Sequence, residues 1–70
     1  MTWEEVRNNW RLLRDQVRGN WSKLSDEEVA AVAGRRHRLV RLLQSRYELD
    51  AESAQMQADA FVRALQVLSL

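Results

Sequence analysis

Two short segments with the same pattern limit what this chain can fold into. Thr2 is followed three residues later by Glu5, and Ser25 is followed three residues later by Glu28. In a capping box of this kind, the hydroxyl accepts a hydrogen bond from the third helical N–H, and the glutamate accepts one from the capping residue's N–H. Each segment therefore predicts the start of a helix.

The rest of the chain predicts further helices separated by short breaks. It contains no proline, two glycines and no strand-like alternation of apolar and polar residues. The apolar spacing predicts an all-α fold of four helices, at residues 3–18, 26–33 and 35–46 and after Asp50, the expected N-cap of the fourth. Gly19 is expected to end the first helix in a left-handed conformation. Gly34 is expected to end the second, although a close approach of helices at a bend is an alternative role.

The periodic apolar residues predict one small core within a single domain, residues 1–70. Because a chain of 70 residues without cysteine has no disulfide, this core must depend on packing. Trp21 is expected to fold under the first connection, with its indole N–H bonded to a loop carbonyl. The fourth helix carries a stripe that ends at Leu68, and the tail, residues 66–70, is expected to fray unless it docks. The predicted core is Trp3, Val6, Trp10, Leu13, Val17, Trp21, Leu24, Val29, Val32, Leu39, Leu42, Leu43, Tyr47, Phe61 and Leu65.

Residues that catalyse reactions or hold metals are scarce. There is no cysteine, and His37 is the one histidine, so thiolate metal sites are excluded and no nucleophile–base pair is adjacent in sequence. The consecutive acids Asp26, Glu27 and Glu28 are expected to complement a helix dipole, because neighbouring acids on a helix point in different directions. We therefore expect no enzyme activity, no metal and no cofactor.

The location of the protein is constrained by what its apolar residues do not form. No apolar run reaches the length of a membrane-spanning helix, and the first ten residues lack the basic and apolar regions of a signal peptide. We therefore expect a cytoplasmic protein without a membrane span. A monomer is expected, and the partner is unknown.

Arginines cluster in the predicted third helix. The net charge is only +1, but no acid lies between residues 28 and 48. The basic face of the third helix, which includes His37, could hold phosphates. Arg11 and Arg14 of the first helix could add to it. The alternative interpretation, favoured by the low net charge, is that the arginines pair with acids of the second and fourth helices. The candidate nucleic-acid contacts are Arg35, Arg36, Arg38 and Arg41.

The tryptophans and two further apolar residues allow other interpretations. Trp3 and Trp10 lie on the apolar stripe of the first helix, so we expect them in the core rather than as stacking platforms for bases. Leu12 and Met56 could form the apolar patch of a protein–protein adaptor, which would be an argument by analogy of fold alone.

Three segments follow one another in a distinctive order. They are Trp10, WSKLSDEE from Trp21 to Glu28, and AGRRHRLVRLLQSRY from Ala33 to Tyr47. Together they resemble the CsbD-like family of small bacterial stress-response proteins, over roughly residues 2–62. The chain departs from that family in lacking glycines around Trp10, in having Glu48 where glycine is frequent, and in being rich in arginine rather than lysine.

The resemblance implies a fold and a biological setting. The implied fold is a helical bundle of two roughly orthogonal α-hairpins, similar to sterile-alpha-motif-like folds. The implied setting is a bacterial cytoplasm under general, osmotic or stationary-phase stress, with no established biochemical activity and no catalytic residue to transfer. Some relatives are described as recognising mismatched or cruciform DNA, which adds weak support to the basic face.

These expectations favour a non-enzymatic stress-response protein that acts by binding or as a protectant. The alternative is a nucleic-acid-binding module that uses the basic face of the third helix.

Overall fold

The computed structural model describes the backbone of residues 2–68 and the side chains of residues 2–65. This part consists of helices joined by short connections, without a strand, so the predicted all-α class is confirmed. There are five helices rather than four, because the predicted first helix is divided in two. The helices are α1 (Trp3–Asn8), α2 (Trp10–Asn20), α3 (Asp26–Val32), α4 (Arg36–Tyr47) and α5 (Ala51–Leu68).

Asn9 divides the predicted first helix. Its φ of −114° and ψ of 18° lie outside the helical region. Its side-chain amide donates to the carbonyl of Glu5 at 2.8 Å. Asparagine side chains compete in this way for backbone groups, which explains why the helix is interrupted at the Asn8–Asn9 pair. The predicted capping box of Thr2 and Glu5 is confirmed, with hydrogen bonds of 2.8 and 3.2 Å.

The expectation for Gly19 is wrong. Helix α2 continues to Asn20, and Gly19 does not have a positive φ. Trp21 follows as the C-cap, and its backbone N–H donates to the carbonyl of Val17 at 2.9 Å. The helix therefore ends without a left-handed residue, in a turn that carries Trp21 into the core.

Gly34 has both of the roles considered for it. Helix α3 ends at Val32, and the next two residues, Ala33 and Gly34, have φ values of 53° and 74°. A Cβ atom on Gly34 would lie 2.6 Å from the Cα of Arg7, so α1 packs directly against the backbone of this connection. Helices α3 and α4 are thus separate, and α1 is held at the junction between them.

The remaining helix ends agree with the sequence to within one residue. Ser25 and Glu28 form the second capping box, with hydrogen bonds of 3.0 and 3.1 Å. Asp50 caps α5 by accepting a hydrogen bond from the N–H of Ser53 at 2.7 Å. Helix α4 begins and ends one residue later than predicted, and Glu48 follows it in the left-handed conformation, with φ 54° and ψ 44°.

Most of the predicted core is buried. The exceptions are Trp3, Leu42, Tyr47 and Phe61, which are half-buried and pack against it. Val62 is also buried, although it is not among the predicted core residues. The side chain of Leu68 and the tail beyond it lie outside the described residues. Further members of the core are Val40, Ala54 and Ala58.

Two tryptophan side chains connect the helices through their N–H groups. Trp10 donates to the carbonyl of Val29 at 2.8 Å, which joins α2 to α3. Trp21 is buried as predicted, and its ring centroid lies 5.1 Å from that of Phe61. The expected loop carbonyl is not its acceptor, however. The indole N–H donates to the side chain of Gln57 at 3.1 Å, because the ring reaches beneath the connection to α5.

The helices pack in sequential pairs. Helix α2 lies against α3, α4 lies against α5, and α3 also contacts α4. The grouping of the helices into two α-hairpins stays a prediction. Their orthogonal, sterile-alpha-motif-like arrangement stays a prediction.

We predict that Glu48→Gly stabilises the protein. The left-handed conformation costs a non-glycine residue about 1–2 kcal/mol, and glycine would remove this cost. Part of the gain in stability is offset because glycine is more flexible in the unfolded chain. The expected net gain is about 0.5–1 kcal/mol, or a melting temperature higher by about 2–6 °C. Thermal unfolding followed by circular dichroism measures this change. Glu48→Ala is the control, since it removes the side chain but not the strain, and a glycine variant no more stable than this control would contradict the prediction.

Candidate functional site

The candidate contacts predicted from the sequence lie at the start of α4 and along one side of it. Arg35 is the N-cap residue and Arg36 is the first residue of the helix. Arg35, Arg38 and Arg41 are exposed, whereas Arg36 is half-buried. The four arginines therefore do not form one uniform surface, and their contacts separate them into groups.

Arg36 forms an ion pair with Asp59 of α5. The Nε and Nη2 atoms of Arg36 donate to the two carboxylate oxygens at 2.9 and 3.0 Å. Trp3 Nε1 donates to the same carboxylate at 3.3 Å, so Asp59 joins α1, α4 and α5. The hydrogen bonds from Arg36 hold the pKa of Asp59 below its usual range, and the same contact raises the pKa of Arg36.

Two other arginines of α4 are bonded to α3. Arg46 pairs with Glu28, which also belongs to the second capping box. Hydrogen bonds to Glu28 lower the pKa of its carboxyl group. The largest effect comes from the backbone N–H of Ser25, and the next largest from the side chain of Arg46. Arg38 donates to the carbonyl of Ala31 at 3.1 Å, so one of its nitrogens is occupied while the side chain stays exposed.

The ion-pair interpretation thus accounts for part of the basic cluster. It is confirmed for Arg36 and Arg46, whose partners lie on the predicted second and fourth helices. Among side chains of residues 2–65, Arg35 and Arg41 form no ion pair. Their positive charges face solvent, and no carboxylate of the described residues contacts them.

A groove of about 700 Å³ runs between α3 and α4 and is called here the α4 groove. Four residues of α4 line it, namely His37, Arg38, Arg41 and Ser45. Glu28 also lines it, but its charge is matched by Arg46. The remaining lining residues are Ala31, Val32 and Leu42. The arrangement gives a cationic side to a partly apolar groove.

A second groove, of about 330 Å³, lies at the junction of α1 with the connection before α4 and is called here the Gly34 groove. It brings Arg7 together with Arg35, although the sequence assigned no binding role to Arg7. The sequence did indicate a possible close approach of helices at Gly34, but it did not indicate that Arg7 would be the residue that packs there. The lining residues are Trp3, Arg7, Gly34, Arg35, Arg36 and His37.

The arginines of α2 lie outside both grooves. Arg11 and Arg14 are exposed, and neither lines the α4 groove or the Gly34 groove. Arg18 pairs with Asp26 at 2.7 Å. Two of the three consecutive acids therefore contact arginines, since Glu28 pairs with Arg46.

The part of the chain that the structure describes has neither a cluster of metal-ligating side chains nor a membrane-crossing helix. Within that part, no three histidine, cysteine, aspartate or glutamate side chains come together in a way that could hold a metal ion. Within the same residues, no helix combines the length and the apolar character needed to cross a bilayer. Leu12 and Met56 are exposed, by 76% and 65%, on α2 and α5, and an adaptor role for them stays a prediction.

Comparison with known proteins identifies the family. A UPF0337 protein of Nitrosomonas europaea is 36% identical over 61 residues, which are 87% of this chain and 65% of the relative. The UPF0337 protein YjbJ of Escherichia coli is 30% identical over 61 residues, 87% of this chain and 88% of the relative. The chain belongs to the UPF0337 family, which is the CsbD-like family. No family model and no solved structure matches it.

Membership in UPF0337 confirms the resemblance at the level of the family. The names of both relatives give a family and no activity. This UPF0337 chain spans 65% of the length of the Nitrosomonas relative.

We predict that the Asp59 contacts make the protein less stable in acid. A carboxyl group whose folded pKa is lowered contributes stability above its unfolded pKa, and loses it as the pH falls through the folded value. Stability should therefore decrease below about pH 4. Asp59→Asn should be less stable at pH 7 by about 1 kcal/mol or less, because the side chains of the pair are 39% and 37% exposed.

Melting temperatures at pH 7 and pH 3 measure this effect. The difference between the two should be smaller in Asp59→Asn than in the wild type. Asp15→Asn, at an exposed acid of α2, is the control and should keep the wild-type difference. An Asp59→Asn variant with the full acid sensitivity of the wild type would remove Asp59 from the explanation.

Proposed function

We propose that this chain is a non-enzymatic bacterial stress-response protein that acts by binding or as a protectant. In this proposal residues 1–70 are one domain, which works as a monomer in the cytoplasm. Membership in UPF0337 supports the bacterial setting, and the stress-response role rests on the resemblance to the CsbD-like family.

The observation that carries the non-enzymatic part is how the acids are used. Glu5 and Glu28 complete capping boxes, Asp50 caps α5, and Asp59 holds Arg36. The pKa of each of these four carboxyls is lowered, mainly by a hydrogen bond from Thr2, Ser25, Ser53 and Arg36 respectively. A general base works best when its pKa is near the operating pH, so lowered values make these acids poorer proton acceptors. Their hydrogen bonds support a structural role.

The stress-response proposal predicts how much of the protein the bacterium makes. Its level should rise after osmotic upshift and in stationary phase, as measured by immunoblot against exponentially growing cells. A strain that lacks the gene should survive these conditions less well, and His37→Gln should restore survival as fully as the wild type, because a protein that does not catalyse has no need of its one histidine as an acid or base. An unchanged protein level, with normal survival of the deletion strain, would contradict the proposal.

A second candidate function is nucleic-acid binding by the α4 groove. It is favoured by Arg41, which lines this groove, is exposed and has no carboxylate partner among residues 2–65. Arg35 is likewise exposed and has no carboxylate partner among these residues, but it lines the neighbouring Gly34 groove. Arg38 lies beside them with nitrogens beyond the one bonded to Ala31. Guanidinium groups spaced along a groove can contact successive phosphates without reading the base sequence. Arg36 is not expected to contribute fully, because Asp59 already binds it.

Fluorescence anisotropy of labelled duplex, mismatched and single-stranded DNA tests this candidate. We expect the affinity to fall about tenfold or more between about 50 and 200 mM salt, as counterion release requires. Arg38→Glu/Arg41→Glu should abolish binding. Arg11→Glu/Arg14→Glu changes the net charge equally outside the grooves and should weaken binding far less.

Two results would contradict the use of the α4 groove. One is equal loss of binding in the two double variants, which would assign the effect to net charge. The other is the absence of binding at the lower salt concentration.

A further inference from the structure

The Gly34 groove combines positive charge with an aromatic side chain. Its arginines come from α1 and from the start of α4, and Trp3 supplies a large aromatic ring. The volume of about 330 Å³ is at the lower end of the range for small-ligand sites. Among the residues that the structure describes, the α4 groove is lined by no tryptophan, tyrosine or phenylalanine.

Among the described side chains, carboxylates neutralise one of the three arginines in this groove. Arg36 pairs with Asp59 through two hydrogen bonds. Arg7 and Arg35 are exposed, and neither forms an ion pair with the side chains of residues 2–65. Because a guanidinium group matches a phosphate with two parallel hydrogen bonds, two free arginines at one groove suit a phosphate group.

Backbone packing fixes Arg7 at this groove. A Cβ atom on Gly34 would lie 2.6 Å from the Cα and 3.0 Å from the backbone nitrogen of Arg7. The main chain of α1 is therefore seated on Gly34, next to Arg35 in sequence. The positions from which the two arginine side chains extend are set by the fold, which reduces the ordering needed when a ligand binds.

Trp3 is the residue of this groove best suited to stack on a base. It is half-buried and lines the groove, and its N–H donates to Asp59 at 3.3 Å. The same carboxylate binds Arg36, so the edge of the indole is held in place. Bases within a duplex are already stacked on one another, whereas those of a single strand are free to stack on an aromatic side chain.

We propose that the Gly34 groove binds one nucleotide of a single-stranded nucleic acid, with the phosphate between Arg7 and Arg35 and the base against Trp3. The inference rests on the nucleic-acid-binding candidate above and adds a ligand class to it. It also assigns Arg7 and Trp3 to binding, which the sequence did not.

The test compares a labelled oligothymidine with a labelled duplex of the same length, by fluorescence anisotropy at several salt concentrations. The single strand should bind more tightly. Arg7→Gln and Arg35→Gln should each weaken its binding and make the slope of log K against log salt shallower by about 0.7. Trp3→Leu should lower the affinity at least about fivefold through lost stacking.

Lys23→Gln is the matched control because it removes one positive charge at the other end of α4. Its ammonium group lies 5.1 Å from the ring centre of Tyr47, the last residue of that helix. The Lys23→Gln variant should bind the single strand with the same affinity and the same salt slope as the wild type. Circular dichroism checks the fold of each variant, and if Trp3→Leu does not fold, the arginine variants decide the question.

The outcomes separate the groove from the broader function. Equal affinity for duplex and single strand, or arginine variants indistinguishable from Lys23→Gln, would overturn the Gly34 groove while nucleic-acid binding by the α4 groove stands. Absence of binding to either oligonucleotide at about 50 mM salt would remove the nucleic-acid-binding function itself. A preference for the single strand that is lost in Arg7→Gln and Arg35→Gln supports the proposal.

Discussion

The contact between Gly34 and the backbone of Arg7 is the constraint on which the rest of the structure depends. It requires a residue without a Cβ atom and with a positive φ, and Gly34 meets both conditions. It separates α3 from α4 and seats α1 at the point where they meet. The core can then close beneath α1, and the Gly34 groove forms beside it. One glycine therefore links packing to the surface that carries the candidate phosphate site.

Hydrogen bonds from the tryptophan side chains help to fix how the helices pack around a core that has no disulfide. Each of the three indole N–H groups donates a hydrogen bond to another helix. Trp3 and Trp21 donate to α5, and Trp10 donates to α3. A buried N–H without an acceptor would be costly, so each bond favours one arrangement of the helices over its competitors. This matters in a small domain, where apolar burial alone leaves little margin of stability.

The charges divide between stability and exposure. Arg18, Arg36 and Arg46 each pair with an acid on another helix, whereas Arg7, Arg35 and Arg41 have no such partner among residues 2–65. The low net charge is thus compatible with a locally positive surface, because several acids contact arginines elsewhere. Counting charges along the chain averages over these two groups, and only their contacts distinguish them.

The sequence by itself determined the helical class, the two capping boxes, the Asp50 cap and most of the buried stripe, because these features depend on residues within one helical turn of each other. It failed at Asn9 and Gly19, where side-chain competition and the burial of Trp21 decided the backbone. Only the tertiary structure decided that Arg36 pairs with Asp59, that Trp21 bonds to Gln57 and that Arg7 reaches Gly34. Those contacts join residues 23, 36 and 27 positions apart, and local periodicity carries no information about which distant side chains will meet.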